Sequence, residues 1–129
     1  MSKLVINTEK APAAVGPYSQ AIKMDSLIFT SGQLPLDAAT NEFVGEGIEE
    51  QTSQCLENLK MVLAAAETSL DQVIKMNVYL KNMDDFPMMN QIYETFFKTS
   101  LPARSCVQVA KLPKNAKVEM EAVALCPAA

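Results

Sequence analysis

Apolar and polar positions along this chain change period several times, and each change marks an element. Leu4-Val5-Ile6 is a short apolar run that reads as a first strand. Pro12 and Gly16-Pro17 then keep the chain in a loop, because proline holds the residue before it out of helix. Ser19 to Met24 and Leu27 to Gln33 read as strands around an Asp25-Ser26 turn, a predicted hairpin. Residues 34–47, punctuated by Pro35, Asn41, Gly45 and Gly47, form a predicted loop; it is long enough to be a lid, though an irregular connection is commoner. From Ile48 to Ala66 the apolar positions 48, 55, 56, 59, 62, 63 and 66 make the stripe of one amphipathic helix. Val73 to Leu80 returns to a period of two, with Ile74, Met76, Val78 and Leu80 on one face and Lys75, Asn77, Tyr79 and Lys81 on the other. A second helix starts near Asp85, with Pro87 tolerable in its first turn. Its stripe is Met88, Met89, Ile92, Tyr93, Phe96 and Phe97, a spacing that reads as core packing.

Two more alternating stretches follow. In Pro102 to Leu112, Ser105, Val107 and Val109 share one face and Arg104, Cys106 and Gln108 the other. In Val118 to Leu125, Val118, Met120, Ala122 and Ala124 share a face, opposite Glu119, Glu121, Val123 and Leu125. If the apolar sets lie on one side of a sheet, Arg104 and Glu119 meet on the other. Such a pair is most often a screened surface contact. Cys106, Val123 and Leu125 on the charged face, and the planar fork that arginine offers a carboxylate, keep a functional site open.

The order strand, helix, strand, helix, strand, strand implies two crossovers joining parallel strands. Right-handed crossovers running the same way place both helices on one side of the sheet. The expected fold class is α+β: a single mixed β-sheet with two helices packed on one face. Its other face is bare, with Phe29, Val123 and Leu125 expected there, and a half-apolar bare face implies association. The short link between the last two strands favours a hairpin.

Composition narrows the chemistry. A chain of 129 residues is expected to form one domain over 1–129. Eleven basic against fifteen acidic residues give a net charge of -4, and no basic cluster offers a footprint for nucleic acid. The apolar runs are too short to span a membrane, and Met1 to Lys10 shows no targeting signal. Cys55, Cys106 and Cys126, scattered and odd in number, suit a reducing compartment, so a cytoplasmic protein is expected. Histidine is absent, which removes Ser-His-Asp and Cys-His schemes and the usual imidazole base. The remaining candidates are Arg, Glu, Tyr, Ser, Asn, Cys and the backbone.

The run Pro102-Ala103-Arg104-Ser105-Cys106-Val107-Gln108-Val109-Ala110-Lys111-Leu112, followed after five residues by Val118-Glu119-Met120, resembles the signature of the Rid (reactive intermediate deaminase) family, also called YjgF-like. Gly16-Pro17-Tyr18-Ser19-Gln20-Ala21, Thr30-Ser31-Gly32-Gln33 and Asn90 to Phe97 match it too, in the same order, so the resemblance covers essentially the whole chain. It implies the YjgF/chorismate-mutase-like fold, with the last strand inserted between the two earlier crossover strands instead of forming the hairpin. It also implies a homotrimer with sites in the clefts between subunits.

The implied activity is hydrolysis of enamine and imine acids, 2-iminobutanoate and 2-iminopropanoate especially, to 2-oxo acids and ammonia. Pyridoxal-phosphate dehydratases, which release such species, are the implied functional partners, and no cofactor or metal is implied. By the same resemblance Arg104 grips the substrate carboxylate and Glu119 orients or activates the attacking water. The backbone at Cys106 contacts substrate or water, and Tyr18, Ser31 and Asn90 line the pocket. Read without the resemblance, these last three are a loop tyrosine, a strand-end serine and an exposed helical asparagine. Two rival readings stand beside it: an endoribonuclease or translation inhibitor, against which the acidic balance speaks, and a non-catalytic small-molecule-binding or chaperone-like protein.

Overall fold

In the computed structural model, which describes residues 2–127, one six-stranded mixed sheet carries two helices on a single face. The elements are β1 (Lys3–Ile6), β2 (Ala21–Met24), β3 (Leu27–Thr30), α1 (Ile48–Ala65), β4 (Val73–Leu80), α2 (Phe86–Phe96), β5 (Ala103–Gln108) and β6 (Val118–Leu125). The strand order is β1-β2-β3-β6-β4-β5. Among the described residues only β4 and β5 pair in parallel; every other neighbouring pair is antiparallel.

The expected α+β class and the one-sided helices are therefore observed. The hairpin of the last two strands is not: β6 runs between β3 and β4, as the family resemblance implied. Burial gives the reason. Val118, Met120, Ala122 and Ala124 are all buried in the middle of the sheet under α1, whereas beside β5 they would lie at an edge. Local alternation carries no information about that choice.

The α1 stripe packs as its period predicts, with Cys55, Leu56, Leu59, Val62 and Leu63 fully buried. Each such leucine contributes roughly 1.5–3 kcal/mol relative to exposure. The helix ends in a Schellman arrangement: Thr68 N–H donates to the Leu63 carbonyl at 3.0 Å and Glu67 N–H to Ala64 at 2.9 Å. On α2, Met89, Tyr93 and Phe97 are buried, but Met88 is exposed on the rim of the stripe.

Three further departures have local causes. The hairpin strands are shorter than predicted, ending at Thr30 and starting at Ala21. In β4 a register shift between Val73 and Lys75 inserts one residue, so Val73 is buried and Ile74, predicted inward, is exposed. The 34–47 loop is strapped to α1 by polar side chains. Asn58 Nδ2 donates to the carbonyls of Leu34 and Leu36, both at 3.0 Å, and Gln51 Nε2 donates to Gly45 at 3.0 Å. With Leu36 buried as well, this segment is a fixed wall.

The face of the sheet away from the helices is half apolar, as expected. Phe29 is 46% exposed and Leu125 40%, with Val123 opposite Phe29. Val107 joins them on the same side. Among the described residues no helix is long and apolar enough to cross a membrane.

Candidate functional site

A cleft of about 650 Å³ opens on the bare side of the sheet, between the 12–18 loop, the exit of β3 and β6. Its polar lining includes Tyr18, Ser31, Glu119 and Glu121. Each wall has a physical anchor. Gln20, buried, accepts the Thr8 N–H at 2.7 Å and donates to the Pro12 carbonyl at 2.8 Å, which fixes the near end of the loop. Gly16 in that loop has φ 142°, a conformation glycine adopts without strain. Ser31 donates its hydroxyl to the Ser19 carbonyl at 2.6 Å, so the serine also ties the two ends of the hairpin together.

Gln33 and Met120 exchange both backbone hydrogen bonds, at 2.7 and 3.2 Å, and this brings Gly32 against Glu119. A side chain at Gly32 would fall on the glutamate: its Cβ would lie 2.8 Å from the Glu119 Cδ. Beneath them the fully buried Cys55 thiol donates to the Gln33 carbonyl at 3.2 Å. Burial raises the Glu119 carboxyl above its usual range, and the charge of Glu121 adds to the rise. A half-buried carboxylate biased toward holding a proton suits a water-activating base.

Gly32→Ala is expected to fold, because the atoms it meets belong to a flexible side chain. It should displace the Glu119 carboxylate and reduce any activity that depends on it by about tenfold or more. A folded Gly32→Ala protein with unchanged turnover of its substrate would show that the close approach has no catalytic role.

Arg104 lies elsewhere. It pairs in register with the buried Met76 of β4, so its side chain takes the helix side of the sheet, whereas Glu119 pairs with Tyr79 on the open side. The expectation that Arg104 and Glu119 share a face is therefore corrected: within one chain they are on opposite faces. Period two fixes which residues of β5 go together, not which set faces the helices. Here Arg104 and Cys106 cover α2, while Val107 is left on the open side.

The Arg104 guanidinium sits 4.8 Å from the centre of the Tyr93 ring and 5.5 Å from that of Phe86. Its Nη1 donates to Asn90 Oδ1 at 2.8 Å. Asn90 is thus a partly buried partner of the arginine, not an exposed helical residue. Burial pushes the Tyr93 phenol up to about 12, against the opposing charge of Arg104. The contact is with the ring, since the buried Tyr93 hydroxyl has no hydrogen-bond partner among the described residues. Burial also raises the Cys106 thiol, opposed by Arg104, which leaves it a poor nucleophile at neutral pH.

The six sequence-derived residues thus form two groups. Tyr18, Ser31 and Glu119 line the cleft; Asn90 and Arg104 are bonded to each other, with Cys106 two residues along β5. Sequence reading passed over Glu121, Tyr79 and Asn77. The Tyr79 hydroxyl and Asn77 Nδ2 both donate to Glu121 Oε2, at 3.0 and 3.1 Å. The signal was available, since Glu121 alternates with Glu119 and Asn77 with Tyr79. Among the described residues no three His, Cys, Asp or Glu side chains are grouped to hold a metal ion.

Comparison with known proteins covers almost the whole chain. The family model described as Endoribonuclease L-PSP matches residues 8–126. A RutC family protein of Pyrococcus abyssi is 51% identical over 96% of this chain and 98% of its own. The 2-iminobutanoate/2-iminopropanoate deaminase of Mus musculus is 48% identical over 94% of this chain and 90% of its own. Among solved structures, E. coli TdcF with bound serine superposes with a TM-score of 0.91 at 42% identity, covering 95% of this chain and 98% of TdcF.

Proposed function

The chain belongs to the Endoribonuclease L-PSP family, the Rid or YjgF-like family, and from that membership we propose that it is an imine deaminase. Its substrates are small 2-imino and enamine acids such as 2-iminobutanoate and 2-iminopropanoate, and its products are 2-oxo acids and ammonia. The observation that carries this reading is the Glu119 carboxylate. It is half-buried, raised by burial, and aimed past Gly32 into a cleft shared with Tyr18 and Ser31.

In the proposed reaction a water oxygen attacks the imine carbon while Glu119 takes one of its protons. The carbon–nitrogen π pair moves onto the nitrogen of the protonated imine, giving a carbinolamine. Glu119 then hands its proton to that nitrogen, which leaves as ammonia while the hydroxyl releases its proton to solvent and the carbon–oxygen double bond forms. Arg104 supplies a planar, permanently charged fork for the substrate carboxylate. Asn90 and the rings of Tyr93 and Phe86 orient that fork. Relatives of the same family that are named as imine deaminases support the assignment.

Arg104 and Glu119 occupy opposite faces of one sheet, so in this reading the working site is completed by a second copy. We infer a homotrimer in which one subunit brings Arg104 and Asn90 to the cleft holding Glu119, Tyr18 and Ser31 of the next. The exposed Phe29, Leu125 and Val107 on the open face supply apolar surface for that association. Light scattering at micromolar concentration should give three times the 14.1 kDa chain mass. A stable monomer with full activity would overturn the shared site.

The activity itself is tested by adding the protein to a threonine dehydratase reaction and following 2-oxobutanoate and ammonia. Faster appearance of both is expected. No acceleration, in a preparation that binds 2-oxo acids, would leave a binding protein instead; cleavage of an RNA substrate abolished by Arg104 substitution would favour the nuclease reading.

A further inference from the structure

Glu119 is not the only carboxylate in its cleft. Glu121, two residues along β6, points the same way and lines the same space. Asn77 lies directly opposite Glu121 on β4, and Tyr79 opposite Glu119. Both donate to the same Glu121 oxygen, Tyr79 reaching across diagonally. Two donors from a neighbouring strand fix this side chain, where a free surface glutamate would swing into water. Glu119 makes no such pair among the described residues.

Within one chain the other groups around Glu119 do not neutralise the pair. The Arg104 guanidinium that the proposed trimer adds from a neighbouring subunit favours the ionised form of Glu119, but it does so in wild type and Glu121→Gln alike, so their difference still reads Glu121. Lys114 lines the cleft, but its ammonium is turned to the Asn41 carbonyl, 3.4 Å away. Lys75, further along β4, donates to Ser105 Oγ at 3.0 Å. Tyr79 and the buried Cys55 thiol, the titratable neighbours from β4 and α1, are both pushed up and so stay uncharged at neutral pH. The third wall, at Gly32, carries no charge.

We propose that Glu121 is a positioning residue for the reaction: held by Tyr79 and Asn77, it keeps a fixed negative charge beside Glu119 and makes Glu119 a stronger proton acceptor for the attacking water. The proposal rests on the reading of Glu119 as the water-activating base. Two carboxylates in one site, one fixed by donors and the other without them, is the arrangement that separates a pair into different roles. The upward direction of Glu119 agrees, with burial first and the Glu121 charge second.

The test compares the assembled wild-type protein with Glu121→Gln, using two independent readouts. Carbon-detected NMR of labelled glutamate, with the Glu119 resonance assigned by its loss in Glu119→Gln, gives the midpoint of Glu119 directly. The pH dependence of kcat/KM for 2-iminobutanoate gives the kinetic counterpart. In Glu121→Gln the Glu119 midpoint should move to lower pH, and the acid limb of the rate profile should move with it. The neutral-pH plateau should fall severalfold, because the base is weaker. Glu121→Asp should restore most of both.

An unchanged midpoint and acid limb in a folded Glu121→Gln protein overturn the proposal and leave the deaminase reading standing. A shifted midpoint in a protein with no imine hydrolysis, wild type included, keeps the charge coupling and overturns the reaction. Should Glu121→Gln not fold, Glu121→Ala is read by the same NMR measurement: the Glu119 midpoint must lie below that of the wild type, and an equal midpoint refutes the coupling.

Discussion

Arg104→Lys is expected to lose about a hundredfold in imine turnover while keeping its fold and its mass in solution. Lysine retains the positive charge, so an arginine acting only as a counter-charge would be replaced with little loss. What lysine lacks is the planar fork. The guanidinium here lies over Tyr93 and Phe86 and bonds Asn90 through one nitrogen, which leaves its other donors oriented as a set. An ammonium on a different stem cannot reproduce both the stack and a two-point grip on a carboxylate. The imine carbon then loses its alignment to the water, and a displacement of about 1 Å is enough for a loss of this size. Turnover of freshly generated 2-iminobutanoate, measured beside circular dichroism and light scattering, checks it. Near-wild-type turnover from a folded Arg104→Lys protein refutes the clamp.

Glu119→Gln should bind product analogues such as 2-oxobutanoate with little change and lose about two orders of magnitude in turnover. The amide keeps the shape that fits beside Gly32 and removes the proton acceptor. For the wild type, the raised carboxyl places the fall in activity on acidification at a higher pH than an ordinary glutamate would, since the base works in its ionised form. That limb should disappear from the residual rate of Glu119→Gln. Unchanged turnover would leave Glu119 a structural residue, and a parallel loss of ligand binding would assign it to binding instead.

Much of this fold could be read from the chain because its helices are amphipathic in the simplest way. The positions 55, 56, 59, 62 and 63 that the α1 period selects are all fully buried. The same reasoning missed that Gln51, Thr52 and Asn58 are buried on that helix too. Gln51 and Asn58 enter the core because they have backbone partners in the 34–47 loop, which no local pattern announces, whereas the buried Thr52 hydroxyl has no hydrogen-bond partner among the described residues. Ile74 was misplaced because a bulge adds a residue without altering the composition of the strand.

Arg104 was misplaced for a deeper reason. On β5, at the edge of the sheet, the side facing α2 is filled by a cation over aromatic rings, so the rule that the apolar set faces the helices fails there. The cleft group of Tyr18, Ser31 and Glu119 came from matching family motifs. Their spacing along the chain gave no hint that three distant segments converge.

The place of β6 also governs how the molecule can form. The strand pairs residues as distant as Leu27 with Leu125 and Val73 with Ala124, so the middle of the sheet is built from contacts between remote parts of the chain. Until β6 arrives, the β1–β3 meander and the β4–α2–β5 unit share no strand pairing, and the apolar side of each lies open to water. Closure of long loops must precede the reward from β6, which makes assembly a slow, late and cooperative event relative to helix formation. A nascent chain that has not yet released residues 118–125 exposes two unpaired strand edges, those of β3 and β4, at the centre of its future core. The glutamate pair rides on this last-arriving strand, so its cleft is completed only in the step that joins the two halves of the sheet.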